Sequence, residues 1–451
     1  MPYTVGQYPD GTVRAEWPGS GMSQQPMSEL ERVTMARVTW RLLPFLLLLY
    51  IVSWLDRVNV SFAKLQMNAD LGFSETVYGI GAGIFFVSYA LFEVPSNLLL
   101  AKFGARMWIA RIMITWGLVS AGMMFVQGTY SFYAMRLLLG VAEAGFLPGI
   151  VYYLSQWFPR EQRARAVSWF MIGIPLSVVF GAPLSGWLLG FDGHLGLKGW
   201  QWLFIVEGLP AVILGFVVLV FLTDKPSQAR WLKPEQREWL SARIESEHVA
   251  AQKKHGFSVR QALQHPTVWL LALIMFCCQA GSYGLTFWVP TIVKGLSGFT
   301  NIEVGFFSAV PYVAAAAGMV LISRSSDRSG ERFMHVAIPT AIGALGFIAT
   351  GLLQSPVPAL IALTVAAVGD YGTRGPFWAM PGKFLSGSAA AGAIGLINAA
   401  GAAGGAITPP VVGYLKDATG SFVYPMYMLA GILLVGSVMT LVLRKSPALK
   451  D

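Results

Sequence analysis

Apolar runs of about twenty residues recur along almost the whole chain, and this recurrence constrains the fold more than any other feature. A helix needs roughly twenty consecutive apolar residues to cross a hydrocarbon core about 30 Å thick. About twelve segments satisfy that rule: near 42–62, 77–100, 107–127, 131–155, 165–190, 200–222, 267–293, 303–323, 334–353, 357–380, 390–415 and 422–443. The runs are continuous and lack the period-two alternation of a membrane β-barrel. Charged residues make up 12% of the chain, about half the usual soluble share, which excludes a soluble enzyme. The expected class is an all-α membrane protein, with twelve transmembrane helices in two pseudo-symmetric six-helix halves.

The net charge of +9 reports topology and not a nucleic-acid partner. Short loops on one side carry Lys102, Arg106, Arg160, Arg163, Arg165, Arg324, Arg328, Arg332 and Lys383, while the other side carries mainly Lys64, Lys198, Lys294 and Lys416. Short loops rich in Lys and Arg stay inside, so both termini are expected in the cytoplasm. Residues 1–38 lack a signal-peptide pattern and read as a disordered cytoplasmic tail, with Met22 or Met27 as an alternative start. The first half spans 39–222, the second 266–445, and a short tail follows at 446–451. Between the halves lies the longest polar segment, 223–265. Pro234, Glu235, Trp239, Leu240, Arg243 and Ile244 place in it a short amphipathic helix, expected on the membrane surface.

Six spans, a linker and six more spans is the layout of a duplicated transporter. The loops after spans two and eight repeat the hint. One reads SDRSGERF, with Asp327, Arg328, Gly330 and Arg332; the other reads AKFGARMW, with Lys102, Gly104 and Arg106. The match is partial, because Ala101 stands where the second loop has Asp327. Cys277 and Cys278 are adjacent inside a span, so there is no disulfide framework, and no His/Cys cluster or Walker loop implies a metal or nucleotide. No cofactor is expected.

The charges inside the spans carry the functional signal. Asp56 and Arg57 interrupt span one, where a charge costs roughly 2.5–3.5 kcal/mol and usually faces a bundle interior or a watery cavity. As neighbours they point about 100° apart on a helix and cannot simply neutralise each other. Span four carries Arg136 and Glu143, span seven Gln279, Ser282, Tyr283 and Thr286, and span ten Asp370, Tyr371, Thr373 and Arg374. Spans three, nine and twelve carry almost none at their centres. Polarity in every third helix is what a central cavity requires.

Each candidate has a functional and a structural reading. Arg57 offers a planar fork matched to a carboxylate; its structural alternative is a permanent pair with Asp56 or Glu143. Glu143 lies among small residues and suits proton carriage, or else pairs with Arg136 or a neighbouring helix. Asp56 follows the same logic. Asp370 and Arg374 stand one turn apart, as a local salt bridge or as substrate contacts. The pairs Gly79/Gly83 and Gly401/Gly405 permit close helix contact or sliding.

RLLLGVAEAGFLPG resembles the arginine–glycine helix of the major facilitator superfamily, and SDRSGERF resembles its intracellular loop motif. WLDRVNVSFA, GWQWLFIVEGLPA, DKPSQARWL, YGLTFWVPTIVK, GPFWAMP and INAAGAAGG together resemble the anion:cation symporter family, particularly bacterial tartrate, phthalate and sugar-acid permeases, over nearly all the chain after residue 35. The resemblance implies rocker-switch symport of organic anions with protons. It implies Asp56 and Glu143 as proton-coupling carboxylates, Arg57 as substrate anchor, and Tyr89, Trp378 and Asn398 as cavity-lining residues. Tyr283 and Arg374 complete the candidate substrate set, and Asp327, Arg328 and Arg332 form the candidate gating loop. Ala101 departs from the pattern, and Asp370 and Arg374 lie outside it.

The expected protein is a monomeric, proton-coupled symporter of the bacterial inner membrane. Its cargo is a small organic carboxylate such as tartrate or a sugar acid, and its other partners are protons and membrane lipid. A proton-independent exchanger or uniporter is the nearest alternative. An integral-membrane enzyme is disfavoured because His194, His248, His255, His265 and His335 all lie in or near loops. A sensor would need a signalling domain to carry its output.

Overall fold

The computed structural model describes residues 4–7, 13–16, 28–253, 264–353, 355–381 and 387–445. Met22, Met27, His255, Lys383 and the tail 446–451 lie outside them. Two short strands, β1 (Thr4–Gln7) and β2 (Val13–Glu16), pair antiparallel. All else of regular structure among the described residues is helical. The first half comprises α1 (Glu29–Leu71), α2 (Glu75–Phe103), α3 (Ala105–Gly122), α4 (Thr129–Glu143), α5 (Phe146–Trp157), α6 (Arg160–Met171), α7 (Gly173–Leu188) and α8 (Gly199–Phe221). Helix α9 (Pro234–Lys253) belongs to the linker. The second half comprises α10 (Pro266–Thr286), α11 (Val289–Ser297), α12 (Asn301–Ser329), α13 (Met334–Leu352), α14 (Pro356–Tyr371), α15 (Arg374–Trp378), α16 (Gly387–Thr419) and α17 (Val423–Arg444).

Eleven helical segments among the described residues are long and apolar enough to cross a membrane. The 33-residue α16 runs beside them, packed on α2 and α10. Local sequence sets the boundaries. Ser28 accepts a hydrogen bond from Glu31 N at 3.2 Å to start α1, and Gly72, at φ 67°, ends it in a conformation that costs glycine little.

Two boundaries differ from expectation. Residues 29–38, read from sequence as tail, are the first turns of α1, with Met35 and Val38 buried. Helix α9 packs on α1 and α5, and Arg37 Nη1 donates to Gln236 Oε1 at 3.1 Å. Gln236, Leu240 and Ile244 of α9 are all buried, and Arg243 pairs with Glu161 at 2.9 Å. This linker helix is docked on the first half.

The halves meet through glycine. Gly79 and Gly83 of α2 face Pro409, Ala406 and Pro410 of α16, and Gly413 of α16 faces Glu75. Gly186 of α7 and Gly305 of α12 form a second close crossing. Small residues let backbones approach where no side chain would fit, so the tight-contact reading of the Gly79/Gly83 pair holds. These crossings gather at the end remote from α9. Toward α9, α2 exposes Leu91, Val94 and Leu98, and α16 exposes Ile394. The close glycine crossings thus hold the halves together at the end remote from α9.

Candidate functional site

The span that carries Glu143 is broken at that residue. Helix α4 stops at Glu143, Ala144 turns extended, Gly145 takes φ 86°, and α5 restarts at Phe146. The carbonyl freed at Ala144 accepts from Ser96 Oγ at 2.6 Å, and Ser96 Oγ in turn accepts from Trp108 Nε1 at 2.9 Å. The second half does not repeat the break: between α14 and α15, Gly372 and Thr373 both keep right-handed helical dihedrals, and Gly372 N still donates to the Val368 carbonyl at 3.0 Å. Thr373 Oγ1 donates to the Asp370 carbonyl at 2.7 Å. Irregular backbone at membrane depth is tolerated only inside protein or along a cavity, and in transporters it marks the site.

Arg57 and Glu143 form an ion pair across α1 and α4, and Ser53 Oγ donates to the same Glu143 oxygen at 3.2 Å. The guanidinium lies among the rings of Trp54, Phe85 and Tyr89, each 5.2–5.3 Å away. Its Nε has no hydrogen-bond partner, and 11% of the side chain remains exposed. Asp56 is the inverse case. It is fully buried and accepts from Ser120 Oγ, Trp116 Nε1 at 2.6 Å and Asn59 Nδ2 at 2.9 Å. Three donors satisfy this carboxyl without a cation.

Arg136 does not pair with Glu143. Its Nε donates to the Gly81 carbonyl at 3.1 Å, and its guanidinium stacks 5.0 Å from Phe85.

In the second half Arg374 lies 3.6 Å from Asp370, and Ser282 Oγ both donates to Asp370 and accepts from Arg374. The Asp370 Oδ1 atom is buried without a partner. Thr286 Oγ1 links Tyr371 at 2.9 Å with Tyr312, whose hydroxyl donates at 3.1 Å. Tyr283 of the second half is in electrostatic reach of both Arg57 and Arg374. Its ring packs 4.3 Å from Phe86 of the first half. Spans one, four, seven and ten thus converge, as their polarity suggested.

The remaining candidates are more dispersed. Tyr89 is buried beside Arg57; Trp378 is 38% exposed and packs edge-on against Phe377. Asn398 is exposed on the α9-proximal part of α16, so the cost of burying it does not arise. The stretch read as a gating loop is in part helix: Asp327 and Arg328 lie in the last turn of α12, where Asp327 pairs at 2.6 Å with Arg332 of the loop that follows and Arg328 stays exposed.

The sequence reading missed two groups. Glu207 of α8 is buried and accepts from Ser185 Oγ at 2.7 Å, its other oxygen unpartnered. At the closed end Lys64, read as a loop charge, is buried. It pairs with Glu75 and lies 3.8 Å from the Trp288 ring of the second half. Tyr78 beside it donates to the Phe287 carbonyl at 3.0 Å. The available signal was position: Lys64 follows VNVSFA without a turn residue.

Residues 46–409 match the family model described as Major Facilitator Superfamily. The chain is 52% identical over 420 residues to an Agrobacterium vitis protein named "Putative tartrate transporter", covering 93% of this chain and 96% of that protein. It is 42% identical over 412 residues to a "Quinolone resistance transporter" of Acinetobacter baumannii, covering 91% and 95%. It is also 42% identical over 408 residues to the "Inner membrane transport protein RhmT" of Escherichia coli (strain K12), covering 90% and 94%. A bacterial homologue of the human lysosomal transporter Spinster, solved inward-facing and unoccupied, shares the fold. Its TM-score is 0.74 at 17% identity, covering 92% of this chain and 99% of that one.

Proposed function

This chain belongs to the Major Facilitator Superfamily, a multi-pass membrane transporter of small organic solutes, and we propose that it imports a small carboxylate together with protons. The reading places it with the anion:cation symporters of the bacterial inner membrane, acting as a monomer with α16 as the twelfth crossing. Both termini and α9 face the cytoplasm, so the glycine-crossed end is the outer one.

One observation carries the proposal: each half holds a buried arginine–carboxylate pair, Arg57–Glu143 and Arg374–Asp370, with Tyr283 in electrostatic reach of both arginines. In the empty site Glu143 occupies Arg57 as a substrate carboxylate would. A proton on Glu143 removes its charge and leaves Arg57 free to grip the cargo, so proton and anion load together. Breaking a buried pair without replacing the partner typically costs about 3–5 kcal/mol, which opposes either loading alone. Asp56 holds a second proton-exchange position behind this pair. Arg374 takes the other polar end of the cargo, and a ligand held from both halves favours the state in which they approach. The Agrobacterium vitis relative's name points to a hydroxylated dicarboxylate such as tartrate.

The test is uptake of labelled tartrate into proteoliposomes under an imposed pH gradient, acid outside the entry face. Accumulation above equilibrium that collapses with a protonophore supports symport. Equal uptake with and without the gradient supports exchange or uniport. No uptake, with a monocarboxylate carried instead, removes the dicarboxylate assignment.

A further inference from the structure

Beside the first turns of α1 lies a groove of about 550 Å³ that shares no residue with the Arg57–Glu143 or Arg374–Asp370 clusters. Its polar wall is Arg37 and Arg41, one turn apart on α1; its apolar wall is Pro44, Phe45 and Phe221. Arg41 is held between the rings of Phe221 at 4.5 Å and Trp231 at 4.9 Å, and its Nε is buried without a hydrogen-bond partner. Arg37 is exposed and donates to Gln236 Oε1 at 3.1 Å. Among the described residues neither arginine pairs with a carboxylate. At the rim Trp40 is 80% exposed, immediately before the apolar run LLPFLLLLYIV.

This is a headgroup-depth arrangement. Tryptophan collects where hydrocarbon meets water, and basic pockets at that depth take anionic lipid headgroups. Guanidinium forks bind phosphate bidentately. The continuation from Arg41 to Pro44, Phe45 and Phe221 runs from charge to hydrocarbon along the helix, matching a phosphate with an acyl chain attached. A free anion would use only the upper part. The two cations also lack the internal carboxylate that satisfies Arg57 in the transport site.

We propose that this groove binds an anionic phospholipid, its phosphodiester between Arg37 and Arg41 and one acyl chain along Pro44, Phe45 and Phe221. The lipid then contacts the first half through α1 and the linker through Trp231, next to the Gln236 that Arg37 holds.

The experiment uses the purified full chain in detergent, stripped of lipid and titrated with phosphatidylglycerol or phosphatidylcholine, with retained lipid counted by native mass spectrometry. Phosphatidylglycerol should be retained about tenfold better, since each basic residue near a headgroup contributes measurably to anionic-lipid affinity. Arg37→Gln and Arg37→Gln/Arg41→Gln should lose that preference stepwise. The single variant changes an exposed side chain, so it reads the site even where the double variant fails to fold. Equal retention of both lipids by the wild type, or an undiminished preference in Arg37→Gln, would overturn the proposal. Inorganic phosphate supplies the last arm. Displacement of the lipid by phosphate at equimolar concentration would make the groove a free-anion site and overturn the acyl-chain assignment.

Discussion

Asp417, near the end of α16, caps the first turn of α2 across the boundary between the halves: Thr76 N donates to its Oδ2 at 2.7 Å and Glu75 N to its Oδ1 at 3.1 Å. The first amides of a helix lack intrahelical acceptors and carry partial positive charge, so a carboxylate there is favoured twice over. This cap, the Lys64–Trp288 contact and the Tyr78–Phe287 hydrogen bond all cross the same end. Thr76 Oγ1 adds a third donor to Asp417, so the exposed carboxylate is held entirely by groups of the opposing half. The closed state therefore depends on a few polar groups laid over a glycine-lined seam.

Asp417→Ala should shift the protein toward states open at that end. Loss of such a cap typically costs about 0.5–2 kcal/mol, a shift of about two- to thirtyfold in populations. Spin labels at Gln127→Cys and Tyr424→Cys, one on each half, measure it by their distance distribution. An unchanged distribution would show that the glycine crossings alone hold the closure.

Glu143→Gln is expected to keep substrate binding and lose accumulation driven by a pH gradient. The amide mimics the protonated carboxyl but has no proton to cycle. Exchange of labelled for unlabelled cargo should survive, because exchange need not return the empty carrier. Full gradient-driven accumulation by the variant would remove Glu143 from the coupling step.

Arg57→Lys keeps the charge and loses the fork. Binding should weaken by about 2–5 kcal/mol, since a buried bidentate contact is not reproduced by an ammonium. Isothermal titration on the folded variant reads this directly, and an unchanged dissociation constant would make Arg57 a structural partner of Glu143.

Arg374→Ala separates two readings of the second cluster. Where Arg374 grips a second carboxylate, affinity for a dicarboxylate should fall by about 2–5 kcal/mol while a matched monocarboxylate changes little. Equal losses for both ligands would make Asp370–Arg374 a local bridge that shapes α14 and α15.

The spans were legible because the bilayer enforces their length and leaves few charges inside them. The polarity of spans one, four, seven and ten was legible for the same reason: Arg57, Glu143, Tyr283 and Arg374 could lie at membrane depth only by converging. Partner choice was not. Arg136 and Glu143 stand two turns apart in sequence, yet Arg136 turns to the Gly81 carbonyl and Glu143 to Arg57. That outcome depends on how α2 and α1 approach α4, which no local pattern encodes. Lys64 was read as a loop charge because hydropathy ends before helix α1 does. Residues 29–38 were read as tail because their partners, among them Gln236 some two hundred positions away, are not local.

Helix α1 runs 43 residues without interruption, about 65 Å at the usual rise. Arg41 in the groove, Arg57 in the site and Lys64 at the closed end are thus stations on one rod, about 24 Å and then about 10 Å apart. A tilt of that rod cannot be local to any of them: it swings the ends in opposite directions about the middle. Pro44 removes one backbone donor between the first two stations, and is the one place along the shaft where that transmission has slack.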